Sequence, residues 1–251
     1  MKVSIITVTY NSAKTLQDTI NSIALQDYTN LEYIVVDGDS KDSTVDILIK
    51  NQSIISQWIS EPDNGLYDAM NKGIMMATGD IIGIINSDDF YHRSDSISQI
   101  VNAFQKFGTQ CVYGDIRFVN PDNLEKTVRY YSSGRFAIHK FKRGLIPAHP
   151  TFFTYRENFK MYGYYKTDYK IAADFELMVR FLYKHQLSYY YLPLDIMKMR
   201  TGGLSTRSFK STFIINQEDL RACRENGIKT NYFWLYSRYF KKLLEFFPSL
   251  F

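Results

Sequence analysis

Three apolar runs set the limits on what this chain can fold into: VSIITVT at 3–9, LEYIVVD at 31–37 and IIGIIN at 81–86. Each is rich in β-branched residues and near-continuous in hydrophobicity, the pattern of strands covered on both faces. Between them, apolar residues recur at helical spacing: Leu16, Ile20, Ile23 and Ala24, then Val45, Leu48 and Ile49, then Leu66, Ala69, Met70, Gly73, Ile74 and Ala77. The first ninety residues therefore alternate strand and helix, as a doubly wound parallel sheet requires. ISQWIS (55–60) predicts a further strand. Helix starts are predicted at Asp42 or Ser43 and at Asp63 or Asn64, with Gly79 ending the third helix.

In such sheets ligands collect beyond the carboxyl ends of the parallel strands. Here those ends carry Thr9 and Tyr10, Asp37 and Asp39, and Asp88 and Asp89, so acids gather on one rim. Two adjacent carboxylates repel each other unless a cation or hydroxyl partner is supplied. Hard divalent ions such as Mg²⁺ or Mn²⁺ prefer oxygen ligands and keep positions open for phosphates. No GxxxxGK[ST] or GxGxxG loop follows the first strand, which enters TYNSAKT instead, so a metal would have to replace those backbone phosphate nests. The plainer reading is that Asp37, Asp39 and Asp42 form turns and caps, and that Asp88 and Asp89 cap a helix near Ser94.

The second half reads differently. CVYGDIRFVN and LEKTVRYY, joined by a turn at Pro121 to Asn123, predict an antiparallel hairpin, and the basic stretch SSGRFAIHKFKRGLIPAHP predicts irregular backbone. A helix follows from Ala172 with Phe175, Met178, Val179 and Leu182, then a strand through YYYLPLDI, a loop MRTGGLST, and two helices parted by Gly227.

With 251 residues, 45% of them hydrophobic, the chain can bury one sizeable core. Cys111 and Cys223 lack any CxxC or Cys/His spacing, which argues against a disulfide framework or structural zinc and fits a reducing, cytoplasmic setting. MKVSIITVTYN is too short and polar for a secretory signal or membrane span. Formal charge is +4, of which the segment from Gly227 carries Lys229, Arg238, Lys241 and Lys242 against Glu245; the body is nearly neutral and has no basic stripe for nucleic acid. In that segment Phe233, Tyr236, Phe240, Leu243, Leu244 and Phe247 share helical spacing beside the basic residues. This suits either an interfacial membrane helix or packing on the body.

VSIITVTYN, VVDGDSKDST and SEPDNGLYDAMNKGIMMATGDIIGIINSDD, in this order, resemble the successive motifs of the inverting family 2 glycosyltransferases with the GT-A fold. The resemblance is nearest to bacterial members that build colanic acid, capsule and O-antigen repeats, and continues more loosely through HPTFF, AADFEL and GGLS. It implies an α/β fold with a mostly parallel sheet flanked by helices, a small antiparallel element and a C-terminal helical extension. The expected division is a transferase domain over 1–206, with a nucleotide-binding half to 92 and an acceptor half from 93, and the extension over 207–251.

The resemblance also implies roles. Thr9, Tyr10 and Asn11 would lie beside the base, Asp37 and Asp39 toward base and ribose, and Asn71 and Lys72 near the diphosphate. Asp89 would hold Mn²⁺ or Mg²⁺, with Asp88 on ribose or sugar. Asp174 would be the general base, with Glu176 as the weaker candidate, although Asp174 also lies where a helix N-cap belongs. His149, Glu176 and Gly203 are expected on the acceptor or diphosphate side; His149, between two prolines, equally suits a braced turn, and the GGLST glycines an ordinary one.

The activity implied is transfer of a monosaccharide from a nucleoside diphosphate sugar to a saccharide acceptor, lipid-linked in such relatives, at the inner face of the plasma membrane. Two rival functions are a nucleotidyltransferase, which should carry a glycine-rich basic phosphate loop where TYNSAKT stands, and a non-catalytic nucleotide-sugar-binding protein, which has no use for a base.

Overall fold

The computed structural model describes residues 1–202 and 209–244. Strands β1 (Val3–Thr9), β2 (Leu31–Asp37), β3 (Gln57–Ser60) and β4 (Ile81–Asn86) are parallel and lie in the order β3-β2-β1-β4. Between them run helices α1 (Leu16–Ala24), α2 (Thr44–Lys50) and α3 (Leu66–Met76). This is the alternation the apolar runs predict, and β1 is buried along its whole length. Gly73 lets α3 approach the sheet, because a Cβ there would stand 2.4 Å from Ile6 Cγ2.

Three details of α3 and β4 differ from expectation. The N-cap of α3 is Gly65, with φ 110°, while Asp63 accepts the Gly65 N–H at 2.8 Å from just outside. The helix stops at Met76 as Ala77 turns extended; Gly79 instead permits close passage, since a Cβ there would lie 2.7 Å from the Ser4 nitrogen. Asp89 opens a separate short strand, β5 (Asp89–Tyr91), antiparallel to the last strand of the sheet. Neither Asp88 nor Asp89 caps the following helix α4 (Ser96–Phe107), whose N-cap is Asp95.

Beyond β4 the sheet continues through β8 (Phe153–Tyr155), β6 (Cys111–Asn120) and β9 (Tyr189–Arg200) to β5, with β7 (Asn123–Tyr131) paired to β6 as the predicted hairpin. Strand β9 runs longer than expected and takes in Met199 and Arg200. Gly83 on β4 faces the Phe153 ring so closely that a Cβ would stand 2.1 Å from it. Short 3-10 turns at Ser133–Arg135, Ile138–Arg143 and His149–Thr151 make up the irregular stretch, and α5 (Arg156–Tyr162) follows β8.

Helix α6 (Ala173–Met178) continues into a π-helical turn, Val179–Lys184. Helices α7 (Phe209–Glu225) and α8 (Tyr232–Leu244) flank Gly227, which has φ 84°. They pack on the body: Ala222, Cys223 and Ile228 belong to the same buried cluster as Ile6, Val36 and Phe175. No helix among the described residues is long and apolar enough to cross a membrane.

Candidate functional site

The register of the parallel strands sets the rim. Thr9 pairs with Asp37 and Val8 with Asn86, so the ends of β1, β2 and β4 stand side by side. Short polar links tie the loops beyond them. The Gly38 N–H donates to the Thr9 carbonyl at 2.9 Å, the Asn11 N–H to Ser40 Oγ at 2.8 Å, and the Lys41 N–H to Asn11 Oδ1 at 2.8 Å. The Ser12 and Ser87 hydroxyls lie 2.8 Å apart and join the loop after β1 to that after β4.

Asn11 and Asp39 take left-handed backbone, with φ 49° and 63°, which short polar side chains tolerate better than others. Tyr10, 62% exposed, stands over this rim. Gly38 is glycine because a Cβ would sit 2.4 Å from an Asp63 carboxylate oxygen and 3.5 Å from Tyr10 Cδ2. Tyr10, Gly38 and Asp63 therefore share one corner, and Asp39 lies beside it with Lys41 at 2.6 Å. Thr9 is buried, and among the described residues its Oγ1 has no hydrogen-bond partner.

Several expected site residues are already committed elsewhere. Asp37 is fully buried; it accepts the Ser40 N–H at 3.0 Å, the Ser40 hydroxyl and the Ser60 hydroxyl at 2.7 Å, so it shapes the turn and presents no open face to a nucleotide. Asn71 is bonded to Tyr165 in both directions, Nδ2 to the carbonyl at 2.8 Å and Oδ1 from the N–H at 2.9 Å. Lys72 lies 2.7 Å from Glu61 and donates to the Pro62 carbonyl at 3.0 Å. These two residues join α3 to its surroundings.

Glu176 is enclosed more fully still. It has no exposed surface, Arg180 Nη2 lies at 2.8 Å and Lys166 Nζ at 3.0 Å, and Asn226 donates to it. A carboxylate so enclosed is an internal anchor and is closed to an acceptor. The His149 turn packs against β4, and His149 Nε2 is 2.8 Å from Tyr165 Oη, which ties the turn to the segment before α6. Gly203 lies outside the described residues, as do the side chains of Phe240, Lys241, Lys242, Leu243, Leu244 and Phe247.

The structure also sorts the two adjacent acids. Asp89 is 1% exposed, its carboxylate bonded to Asn86 Nδ2 at 3.2 Å and its carbonyl to Thr19 Oγ1 at 2.7 Å. Burial, reinforced by the Asp88 charge, holds the Asp89 carboxyl well above the usual carboxylate range, and Arg200 offsets this in part. Asp88 is half-buried, and among the described residues no side chain donates to its carboxylate. Arg200, which sequence reasoning passed over, donates to the Asp88 carbonyl and pairs with Asp18 on α1, fixing the loop from behind. The accessible acid is thus Asp88, not Asp89.

No cluster of three or more His, Cys, Asp or Glu residues suited to a metal is present among the described residues. The pair still fits a hard divalent ion: the donors are all oxygen, one acid is accessible, and the buried one is incompletely compensated. Such a site would leave most coordination positions to phosphate and water.

Asp174 sits in the first turn of α6, one residue inside the helix whose N-cap is Ala172, so it is not the cap itself. It is half-buried, and His149, Tyr67 and Tyr165 lie within electrostatic reach. Burial raises its carboxyl above the ordinary value, against the pull of His149 and the Phe175 N–H. Tyr67 Oη donates to the Ile171 carbonyl just upstream. Tyr67 also lines a pocket of about 250 Å³ together with Asn64, Gly65, Asp68, Tyr169 and Lys170.

Residues 4–163 match the model of the family described as glycosyl transferase family 2. The chain belongs to that family. It is 35% identical over 184 residues to an uncharacterized glycosyltransferase of Mycobacterium tuberculosis, covering 71% of this chain and 68% of the relative. It is 29% identical over 222 residues to a PGL/p-HBAD biosynthesis glycosyltransferase of Mycobacterium bovis, covering 84% and 82%.

Among solved structures it is similar to TarS of Staphylococcus aureus, with a TM-score of 0.68 at 18% identity over 91% of this chain and 41% of TarS. It is likewise similar to the mannosyltransferase PcManGT of Pyrobaculum calidifontis, solved with GDP-Man and Mn²⁺, with a TM-score of 0.65 at 20% identity over 88% of this chain and 64% of that one. These likenesses establish the GT-A-like mixed α/β fold. Membership of family 2 makes the chain a glycosyltransferase.

Proposed function

We propose that the chain moves a monosaccharide from a nucleoside diphosphate sugar to a saccharide acceptor, with inversion and with help from a divalent ion. The observation that carries this reading is the alignment of Thr9, Asp37 and Asn86 at three adjacent strand ends, with exposed Tyr10 on one side and Asp88 on the other. A nucleotide laid there would stack its base by Tyr10, place its ribose near Asn11 and Asp39, and direct its diphosphate toward Asp88. The complexes of TarS 1–349 with UDP-GlcNAc and of PcManGT with GDP-Man and Mn²⁺ support a nucleotide sugar as donor.

A divalent ion held by Asp88 would supply positive charge where the departing diphosphate gains negative charge. Asp89 lies behind as a buried neighbour, and Arg200 keeps the loop in place. Asp174 takes the proton of the acceptor hydroxyl as that oxygen attacks the anomeric carbon from the face opposite the leaving group. A raised proton affinity suits it to this work. One displacement through an oxocarbenium-like state inverts the anomeric centre, and the chain forms no covalent link to the sugar.

The acceptor fits the side of the molecule around Tyr67, Tyr169 and Lys170. Its attachment to a lipid agrees with the surface of α8, where Tyr232, Phe233 and Tyr236 are exposed, and where Lys142 and Arg143 lie 4.5 and 5.2 Å from the Trp234 ring centre. The mycobacterial relative, named a PGL/p-HBAD biosynthesis glycosyltransferase, supports a role in glycan biosynthesis.

Thermal melts with UDP- and GDP-sugars, with and without Mn²⁺, test the reading, because a ligand of the native state raises Tm. A shift of several degrees that needs both sugar nucleotide and metal is expected. Flat melts across the panel would overturn it.

A further inference from the structure

The base helix α6 is not held by the donor half alone. Glu218, on α7, accepts three consecutive backbone N–H groups: Lys170 at 2.7 Å on one carboxylate oxygen, Ile171 and Ala172 at 2.9 Å each on the other. These are the peptides that lead into the first turn of α6, two residues from Asp174. From the opposite side Tyr67 of α3 donates to the Ile171 carbonyl. Helix α7 is fixed in turn, because Asp219, next to Glu218, pairs with Arg238 of α8 at 2.7 Å, and Arg238 also donates to the Gly144 carbonyl and to Asn216.

We propose that Glu218 is a positioning residue for glycosyl transfer: its carboxylate clamps the backbone of 170–172 and so sets where Asp174 meets the acceptor hydroxyl. This inference rests on the reading of Asp174 as the base. A carboxylate that gathers three adjacent N–H groups forms charge-assisted bonds stronger than neutral ones and needs its charge to hold them. Residues 170–172 have no side-chain cap of their own, because Ala172 stands at the N-cap. Glu218 lies outside the 4–163 region that matches the family model, so the clamp is supplied by the C-terminal helices.

Its charge also faces the base. Asp174 is surrounded by His149 from the turn beside β4, Tyr67 from α3, Tyr165 from the segment before α6, and Glu218 and Asp219 from α7. Among these, His149 lowers the proton affinity of Asp174 and Glu218 raises it. Replacing Glu218 by a neutral residue therefore loosens the base and also makes it weaker.

The test uses the full chain and its Glu218→Ala, Glu218→Gln and Asp174→Asn variants. Hydrogen exchange reads the amides of 170–172, Tm reads binding of the nucleotide sugar that gives the largest shift, and nucleoside diphosphate release from that donor reads turnover per folded molecule. Glu218→Ala should speed exchange at 170–172, keep the donor-dependent shift, and lower kcat on the order of 10- to 100-fold with the donor KM little changed. Glu218→Gln should fall between the two and move the acid limb of the kcat profile to lower pH.

Should Glu218→Ala fail to fold, Glu218→Gln carries the test through that limb. Unchanged exchange, or unchanged kcat per folded molecule with an unmoved acid limb, overturns the proposal. Turnover that survives Asp174→Asn overturns it by removing the base, and the exchange data then separate a real clamp from a mistaken base.

Discussion

His149 Nε2 lies 2.8 Å from Tyr165 Oη in the wall beside Asp174, and the same buried tyrosine has its backbone bonded to Asn71 of α3. Burial pushes the His149 imidazole below the ordinary histidine range, while the neighbouring Asp174 carboxylate works the other way. His149 and Asp174 are therefore electrostatically coupled within one wall of the site.

The pH dependence of transfer follows from this. Asp174 must be ionised to accept a proton, and burial raises its carboxyl above the ordinary value. Turnover should therefore rise with pH through a limb lying above the usual carboxylate range, and Asp174→Asn should remove ~10²–10⁴-fold of kcat while leaving donor-induced melting shifts in place. A kcat profile against pH, with melts on the variant, checks both parts.

The two adjacent acids should behave differently. Asp88→Asn is expected to abolish the Mn²⁺-dependent part of the donor shift. Asp89→Asn places a neutral amide where burial favours a neutral acid, and should change stability by no more than about 1 kcal/mol while keeping the metal response. Calorimetric titration with Mn²⁺ and donor distinguishes them; loss of metal binding in Asp89→Asn alone would reverse the assignment.

Stability at low pH should report on Glu32. It is buried and accepts from Lys2 at 2.8 Å, Ser4 at 2.6 Å and Thr78 at 2.8 and 2.7 Å. Burial works against its charge, but these bonds prevail and bring the carboxyl down to about 2 from 4.5. The folded value lies below the unfolded one, so this contribution is full above pH 4.5 and fades as pH falls toward 2. Glu32→Gln should cost ~1–3 kcal/mol at neutral pH, and the gap from the parent chain should narrow across that window in denaturant melts.

Packing between β4 and β8 gives a prediction independent of function. Gly83→Ala would set a methyl group 2.1 Å from a ring carbon of Phe153, which is fully buried. A loss of ~1–3 kcal/mol by chemical denaturation is expected, with more if the ring cannot turn aside.

The rim was legible from sequence because its cause is local: three apolar runs, each ending in polar residues, leave one sensible topology. The short strands β5 and β8 and helix α5 were not, since three to seven residues carry too little periodicity to register. Asn71 and Lys72 looked free because the partners that claim them are a loop 94 residues away and a carbonyl ten residues back. Glu176 could have been recognised, since Arg180 stands four residues on along the same helix face. Glu218 leaves no trace in sequence: its partners are peptide N–H groups, which every residue but proline has.

The Arg180 guanidinium reaches the carbonyls of Tyr162, Gly163 and Tyr164 as well as Glu176, and all of these meet inside the protein. Sliding α6 by even a fraction of a turn would strand a positive charge in an apolar interior. Under the proposed mechanism Asp174 therefore stands fixed, and the acceptor hydroxyl has to be brought to it.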